Sequence, residues 1–154
     1  MLMPDYTTRR TIALMLRRFA AGRITSDELD DAFADGRSAD SAVAALHDFA
    51  VGGLYGSFDS HRCRADHALS RSSRRLVARM VLFLRTDLDF EWPDHGYAGF
   101  RGGLWRFVTL GLLQERYDRD WQRSRDADVW PFARRPDLKA ALARPPFLRG
   151  APPN

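Results

Sequence analysis

Apolar positions first recur with a helical period near the amino terminus. Ile12, Met15, Leu16 and Phe19 fall at i, i+3, i+4 and i+7, which places them on one face of a helix predicted over Thr8–Ala21. Arg9, Arg10, Arg17 and Arg18 are expected mostly off that face, and Gly22 stands where a helix end favours positive φ. Thr25-Ser26-Asp27-Glu28 then fits a capping box: the Thr25 hydroxyl accepts an amide proton and Glu28 reaches back. It opens a short helix with Leu29, Ala32 and Phe33 inward, ending near Gly36. A third helix, predicted over Ala39–Tyr55, buries Val43, Leu46, Phe49, Ala50 and Leu54. The Gly52-Gly53 pair weakens it by about 1 kcal/mol per residue relative to Ala, which predicts a kink or a close crossing.

Gly56–Leu69 reads as a loop. Ser70 caps a fourth helix, Arg71–Arg85, whose Leu76, Val77, Met80, Val81, Phe83 and Leu84 cover more than one side and predict a central position. Phe90–Gly103 is irregular. A fifth helix is predicted over Leu104–Arg123, although Leu104–Leu113 by itself also suits a strand. Trp130-Pro131-Phe132 forms an aromatic hook, and Pro136 opens a last short helix, Asp137–Ala143. The expected fold is all-α: one domain over residues 1–145, an irregular bundle of about five helices plus the short C-terminal one. An extended segment is expected near 88–92, and a Pro/Gly-rich tail over 146–154 that does not fold alone.

Composition adds three constraints. The chain has 154 residues and 45 % apolar content, enough for a core without cross-links. Its one cysteine, Cys63, has no intramolecular partner, which fits a reducing compartment. MLMPDYTTRR lacks the layout of a secretory signal, and Leu104–Leu113 is too short to cross a bilayer, so a cytoplasmic protein without membrane contact is expected. The net charge of +4 is arranged in blocks. Residues 1–25 hold five arginines against one acid, 26–60 one against eight, 61–86 seven against one, and 87–100 no base against four acids. Residues 101–154 hold eleven bases against six acids. Folding is expected to neutralise these blocks against one another, so basicity by itself is weak support for a polyanion partner. The imbalance of twenty-three arginines to a single lysine is read as codon bias of a GC-rich genome.

Two stretches carry candidate chemistry. In FLRTDLDFEWPDHGY, Asp87, Asp89 and Glu91 alternate with Leu88, Phe90 and Trp92. If the segment is extended, the carboxylates share one side while the apolar residues fasten the chain to the core. Pro93 biases Trp92 to extended backbone. Alternate carboxylates on a strand stand roughly 7 Å apart, too far to share a cation without bending. They are therefore expected to face water or to pair with arginine-rich helices. As a partner-binding edge, the candidate set is Asp87, Asp89, Glu91, Trp92, Trp130 and Phe132.

The second stretch, FDSHRCRADH, holds Asp59, His61, Cys63 and His67, which are zinc-ligand types. Their spacing matches no common zinc pattern, so the cofactor expectation is none, with zinc as the alternative in a metal-dependent enzyme. Otherwise such side chains satisfy loop backbone and helix ends. Arg62 and Arg64 are expected to lower the Cys63 pKa. On the fourth helix Arg71, Arg74, Arg75 and Arg79 make a ridge able to follow phosphates. Missing aromatics and adjacent acidic blocks argue instead for a solvated, salt-paired face. His47 is expected to be a partly buried structural histidine. No nucleophile elbow, phosphate loop or HExxH is present.

FLRTDLDFEWP, the later WPF with a short helix behind it, and the hairpin-like LRRFAAGRITSDELDDAF resemble a pattern of small bacterial single-domain helical proteins of unknown function. The resemblance spans most of the chain and implies a bacterial, mostly helical domain, with no activity or site residue attached. Together these features lead to the expectation of a non-catalytic protein-binding domain, by class analogy immunity- or antidote-like. Its partner is another protein, and association of the chain with itself is compatible with the pattern.

Overall fold

The computed structural model describes residues 4–37, 39–54, 59–91 and 128–143. Among the described residues there are five α-helices and no strand: α1 (Tyr6–Ala20), α2 (Ser26–Gly36), α3 (Ser41–Gly53), α4 (Arg71–Phe83) and α5 (Arg135–Ala143), with a 3-10 turn at Ala65–His67. The all-α expectation holds. The helix predicted over Leu104–Arg123, Trp92 and the tail lie outside the described residues.

Caps explain where the helices start. The Asp5 carboxylate accepts the amides of Thr7 and Thr8 at 3.0 and 3.2 Å, so α1 begins at Tyr6, two residues before the predicted start at Thr8. Its far end is a Schellman closure. Gly22, at φ +66°, donates to Phe19 O, and Arg23 donates to Arg18 O. The predicted capping box forms at α2, with Glu28 N donating to Thr25 Oγ1 (3.2 Å) and Thr25 N to Glu28 Oε2 (2.7 Å). Ser70 Oγ accepts Ser73 N at α4 as expected. Asp40 caps α3, which moves its start from Ala39 to Ser41, and Gly52 and Gly53 fall in its last turn. α4 ends at Phe83, two residues short of expectation, and α5 starts two residues early.

α1 packs against α2, α3 and α4, and α2 against α3, while α5 lies on α4. The main core gathers Ile12, Leu16, Phe19, Leu29, Phe33, Leu46, Val77 and Met80. Each large apolar side chain sealed there contributes about 1.5–3 kcal/mol. Gly36 makes the α1–α2–α3 approach possible, since a Cβ there would stand 2.7 Å from Thr8 Cγ2. A second cluster joins Ala42, Leu82, Phe83, Phe132 and Ala141, with Phe132 edge-on to Phe83 at 5.2 Å between centroids. α4 serves both clusters, which makes it central as predicted.

Arg9 corrects the reading of α1. It is 1 % exposed, and it extends the inner stripe one turn before Ile12 instead of lying off it. Its Nε donates to Asp40 Oδ2 at 2.7 Å, Nη2 to Asp40 Oδ1, and Nη1 to the carbonyls of Thr86 and Leu88 at 3.1 and 2.8 Å. The guanidinium carbon also lies 5.8 Å from the centre of the Phe83 ring. Asp40 in turn accepts Asp5 N and caps α3 through Ala42 N and Val43 N. One buried ion pair therefore joins the start of α1, the start of α3 and the chain leaving α4.

Candidate functional site

The loop after α3 is folded back onto the α1–α2 corner by its backbone. Ser26 N donates to His61 O (2.8 Å), His61 N donates to Ser26 Oγ (3.1 Å), and Thr25 and Arg62 form an isolated antiparallel bridge. Ser26 Oγ also reaches Asp59 O at 3.5 Å, and Arg62 Nη1 donates to Arg23 O at 2.8 Å. This stapling gives the four zinc-type residues different surroundings. Asp59 and His67 are exposed, His61 is half-buried with Nδ1 on Asp59 O, and Cys63 is buried in the core cluster. The rings of His61 and His67 stack at 4.7 Å. Among the described residues no group of three or more His, Cys, Asp or Glu side chains is placed to hold a metal ion.

Cys63 reverses its expectation. Burial pushes the thiol up, and the opposing cation is Arg74 of α4, which lowers it by less. Arg62 points its guanidinium at Arg23 O, and Arg64 lies along Gly22, so neither sequence neighbour activates the thiol.

The acidic segment is also dispersed. Asp87 and Glu91 are exposed and Asp89 half-buried. Phe90 packs on both clusters, but Leu88 is 37 % exposed and does not fasten the chain. The Arg9 hydrogen bonds to the Thr86 and Leu88 carbonyls hold this stretch instead. Asp87 faces Tyr6. Partial desolvation, then the charge of Asp87 and a hydrogen bond to it, push the Tyr6 phenol up. Trp130 and Phe132 are 2 % and 1 % exposed, so burial removes both from the partner-binding edge. Trp130 lies 4.1 Å from Phe49 between ring centres.

On α4, Arg71, Arg74 and Arg75 are exposed, whereas Arg79 is half-buried with Nη1 donating to Asp128 O at 2.6 Å. Among the described residues few of the block charges are paired with one another. Among the described residues the ion pairs are Arg9–Asp40 and Arg37–Asp48, while His47 is hydrogen-bonded to Asp30. None involves Arg71, Arg74, Arg75, Asp87, Asp89 or Glu91, so among the described residues α4 shows the solvated part of the expected face and not the salt-paired part. His47 takes its expected structural role, 8 % exposed, stacked on Phe33 and bonded to Asp30.

The residue that sequence reasoning missed is Arg9. The available signal was its register, three before Ile12 and seven before Leu16. No helix among the described residues is long and apolar enough to cross a membrane. Comparison with known proteins gave no matching family model, no matching curated protein and no matching solved structure.

Proposed function

We propose that the chain is a non-catalytic protein-binding domain of the small bacterial helical type that its sequence pattern resembles. The immunity- or antidote-like role remains a class analogy within that reading. The observation that carries it is the division of labour among polar side chains. Of the residues with ligating chemistry, His61 is tied to backbone and Cys63 is packed into the core. The charged rows on the outer faces are left without internal partners: Asp27, Asp31 and Asp35 on α2, and Arg71, Arg74 and Arg75 on α4, are exposed and outside every ion pair among the described residues. Unneutralised same-sign rows steer association and select partners. Affinity capture from lysate with the full chain, followed by reconstitution with the captured protein, is the direct test. A defined complex of fixed stoichiometry supports the reading. A chain that stays alone yet turns over a substrate panel removes it.

A second reading has one observation in its favour, the open row Arg71, Arg74 and Arg75. As a nucleic-acid contact it requires salt-sensitive retention on DNA or RNA that falls when these arginines become glutamine. Retention that ignores the replacements excludes the row.

A further inference from the structure

The protein-binding reading leaves open which face engages the partner, and the outer side of α1 is distinguished from the rest of the described surface. The inner stripe of α1 is buried, while Tyr6, Arg10, Leu14, Arg17 and Arg18 are exposed. Tyr6, Arg10, Leu14 and Arg18 succeed one another at i+4, so they form one ridge with about 6 Å of rise per step. Large apolar side chains exposed among the described residues are Tyr6, Leu14, Leu88 and Leu142. Two of the four, Tyr6 and Leu14, lie on this ridge. One exposed leucine means nothing by itself. Here it sits inside a row of one sign: α1 contains no acid, and none of Arg10, Arg17 and Arg18 has a carboxylate within ion-pair distance among the described residues. Arg17 and Arg18 complement the carbonyl end of the helix, which accounts for them locally. That account covers neither Arg10 nor the exposure of Leu14. The row of α2 and the row of α4 lack any large exposed apolar residue. Tyr and Arg around an apolar centre is the composition from which interface hot spots are built.

We propose that this face of α1 docks an acidic amphipathic helix of a partner protein. Its carboxylates meet Arg10, Arg17 and Arg18, and its apolar side chains cover Leu14. Arginine forks match carboxylates in pairs, and the apolar centre supplies contact that a phosphate backbone does not use. The proposal rests on the protein-binding reading, and the test separates the two. A photo-crosslinking phenylalanine analogue is placed in the full chain at position 14, at position 31 or at position 75, and each protein is irradiated in lysate of its native cell. The expected result is an adduct from position 14 whose crosslinked partner peptide is net acidic with spaced apolar residues. Its yield falls about tenfold when Arg10, Arg17 and Arg18 are changed to Glu. Should that triple variant fail to fold, loss of the adduct in high salt with the arginines intact gives the same decision. Adducts only from 31 or 75 leave protein binding standing and overturn α1 as the face. An adduct from 14 to a second copy, to nucleic acid or to a basic peptide, or one insensitive to charge reversal and salt, overturns the proposed occupant. No adduct from position 14 overturns α1 as the docking face, whereas the protein-binding reading itself falls only if affinity capture with the full chain also yields no partner.

Discussion

The junction at Asp40 and the loop over residues 59–68 are both polar crossings between helices, and they are built in opposite ways. At the junction, ionised side chains are fully buried and hold backbone: Arg9 and Asp40 are 1 % and 2 % exposed and between them bind two carbonyls and three amides. In the loop, backbone, one serine and the Arg62 guanidinium at the surface do the holding, while His61 is half-buried and His67 exposed. Residue chemistry therefore did not predict role. The loop with metal-ligand types assembles no metal-holding group among the described residues, and an arginine that looked like solvent-facing charge closes the core.

The largest expected effect tests the junction. Arg9→Met strands the Asp40 carboxylate in the interior, and Asp40→Asn strands the Arg9 guanidinium. Each is expected to cost about 3–5 kcal/mol, because removing one member of a buried pair leaves the other uncompensated. In a chain of this size that corresponds to a loss of roughly 10 °C or more in Tm. Asn caps helices well, so Asp40→Asn keeps the α3 cap and isolates the ionic part. The double variant is expected to lose less than the sum, measured by denaturant unfolding of all four proteins. Simple additivity would show that the two side chains act as separate caps and not as a pair.

Gly22 tests how the loop is seated. It combines φ +66° with close cover: an added Cβ would stand 2.9 Å from Arg64 Cγ and 3.0 Å from Cys63 O. Gly22→Ala is expected to cost about 1–2 kcal/mol from the left-handed backbone, with further loss from displacing the loop carbonyl. Arg64 is flexible and gives way, but the Cys63 carbonyl cannot move without lifting the loop. Cys63 alkylation in the native state should therefore accelerate in Gly22→Ala and stay slow in the parent, where burial holds the thiol up. Equal alkylation rates would show that the loop is not held by this contact.

A smaller effect separates surface caps from the buried pair by pH. Hydrogen bonds from Thr8 hold the Asp5 carboxyl below its ordinary value of 3.8, and those from Thr25 hold Glu28 below 4.5. A folded-state pKa below the unfolded one gives stability that is complete above the ordinary value and is lost as pH falls through the lower, folded value. Thermal melts followed by circular dichroism should thus show Asp5→Asn and Glu28→Gln slightly less stable than the parent at pH 7. The difference should shrink progressively as pH falls below the ordinary values of 3.8 for Asp5 and 4.5 for Glu28. A gap that persists in acid would mean that the caps act through geometry and not through charge.

Local chemistry explains which parts of this architecture were legible. The Thr25–Glu28 box, the Ser70 cap and Gly22 are contained in four or five consecutive residues, and all three form as the pattern requires. Helix starts at Tyr6 and Ser41 depend on Asp5 and Asp40, whose caps carry no apolar period to announce them. The Arg9–Asp40 pair spans thirty-one residues, so its register was visible while its partner was not. Trp130 and Phe132 looked adhesive because aromatics suit interfaces and cores equally, and only the approach of Phe49 and Phe83 decides between them. At the loop, composition named the ligand types, but whether they converge is set by the Ser26–His61 stapling, which no spacing rule contains.

The smallest expected effect is none, and it bears directly on the loop. A zinc ion held by His61, Cys63 and His67 would need a deprotonated thiol turned towards the two imidazoles. In the fold the thiol is buried and held up, His61 Nδ1 is occupied by the Asp59 carbonyl, and the two rings stack on each other. Zinc at a hundredfold over a real dissociation constant stabilises a folded protein by about 2.7 kcal/mol, or roughly 5–10 °C in a chain of this size. Micromolar zinc is expected to leave Tm unchanged for the parent and for His61→Ala and His67→Ala alike. A rise of that size in the parent, abolished by either replacement, would show that the loop rearranges around a metal, and would put it with the Asp40 junction as a place where ionisable side chains hold the structure.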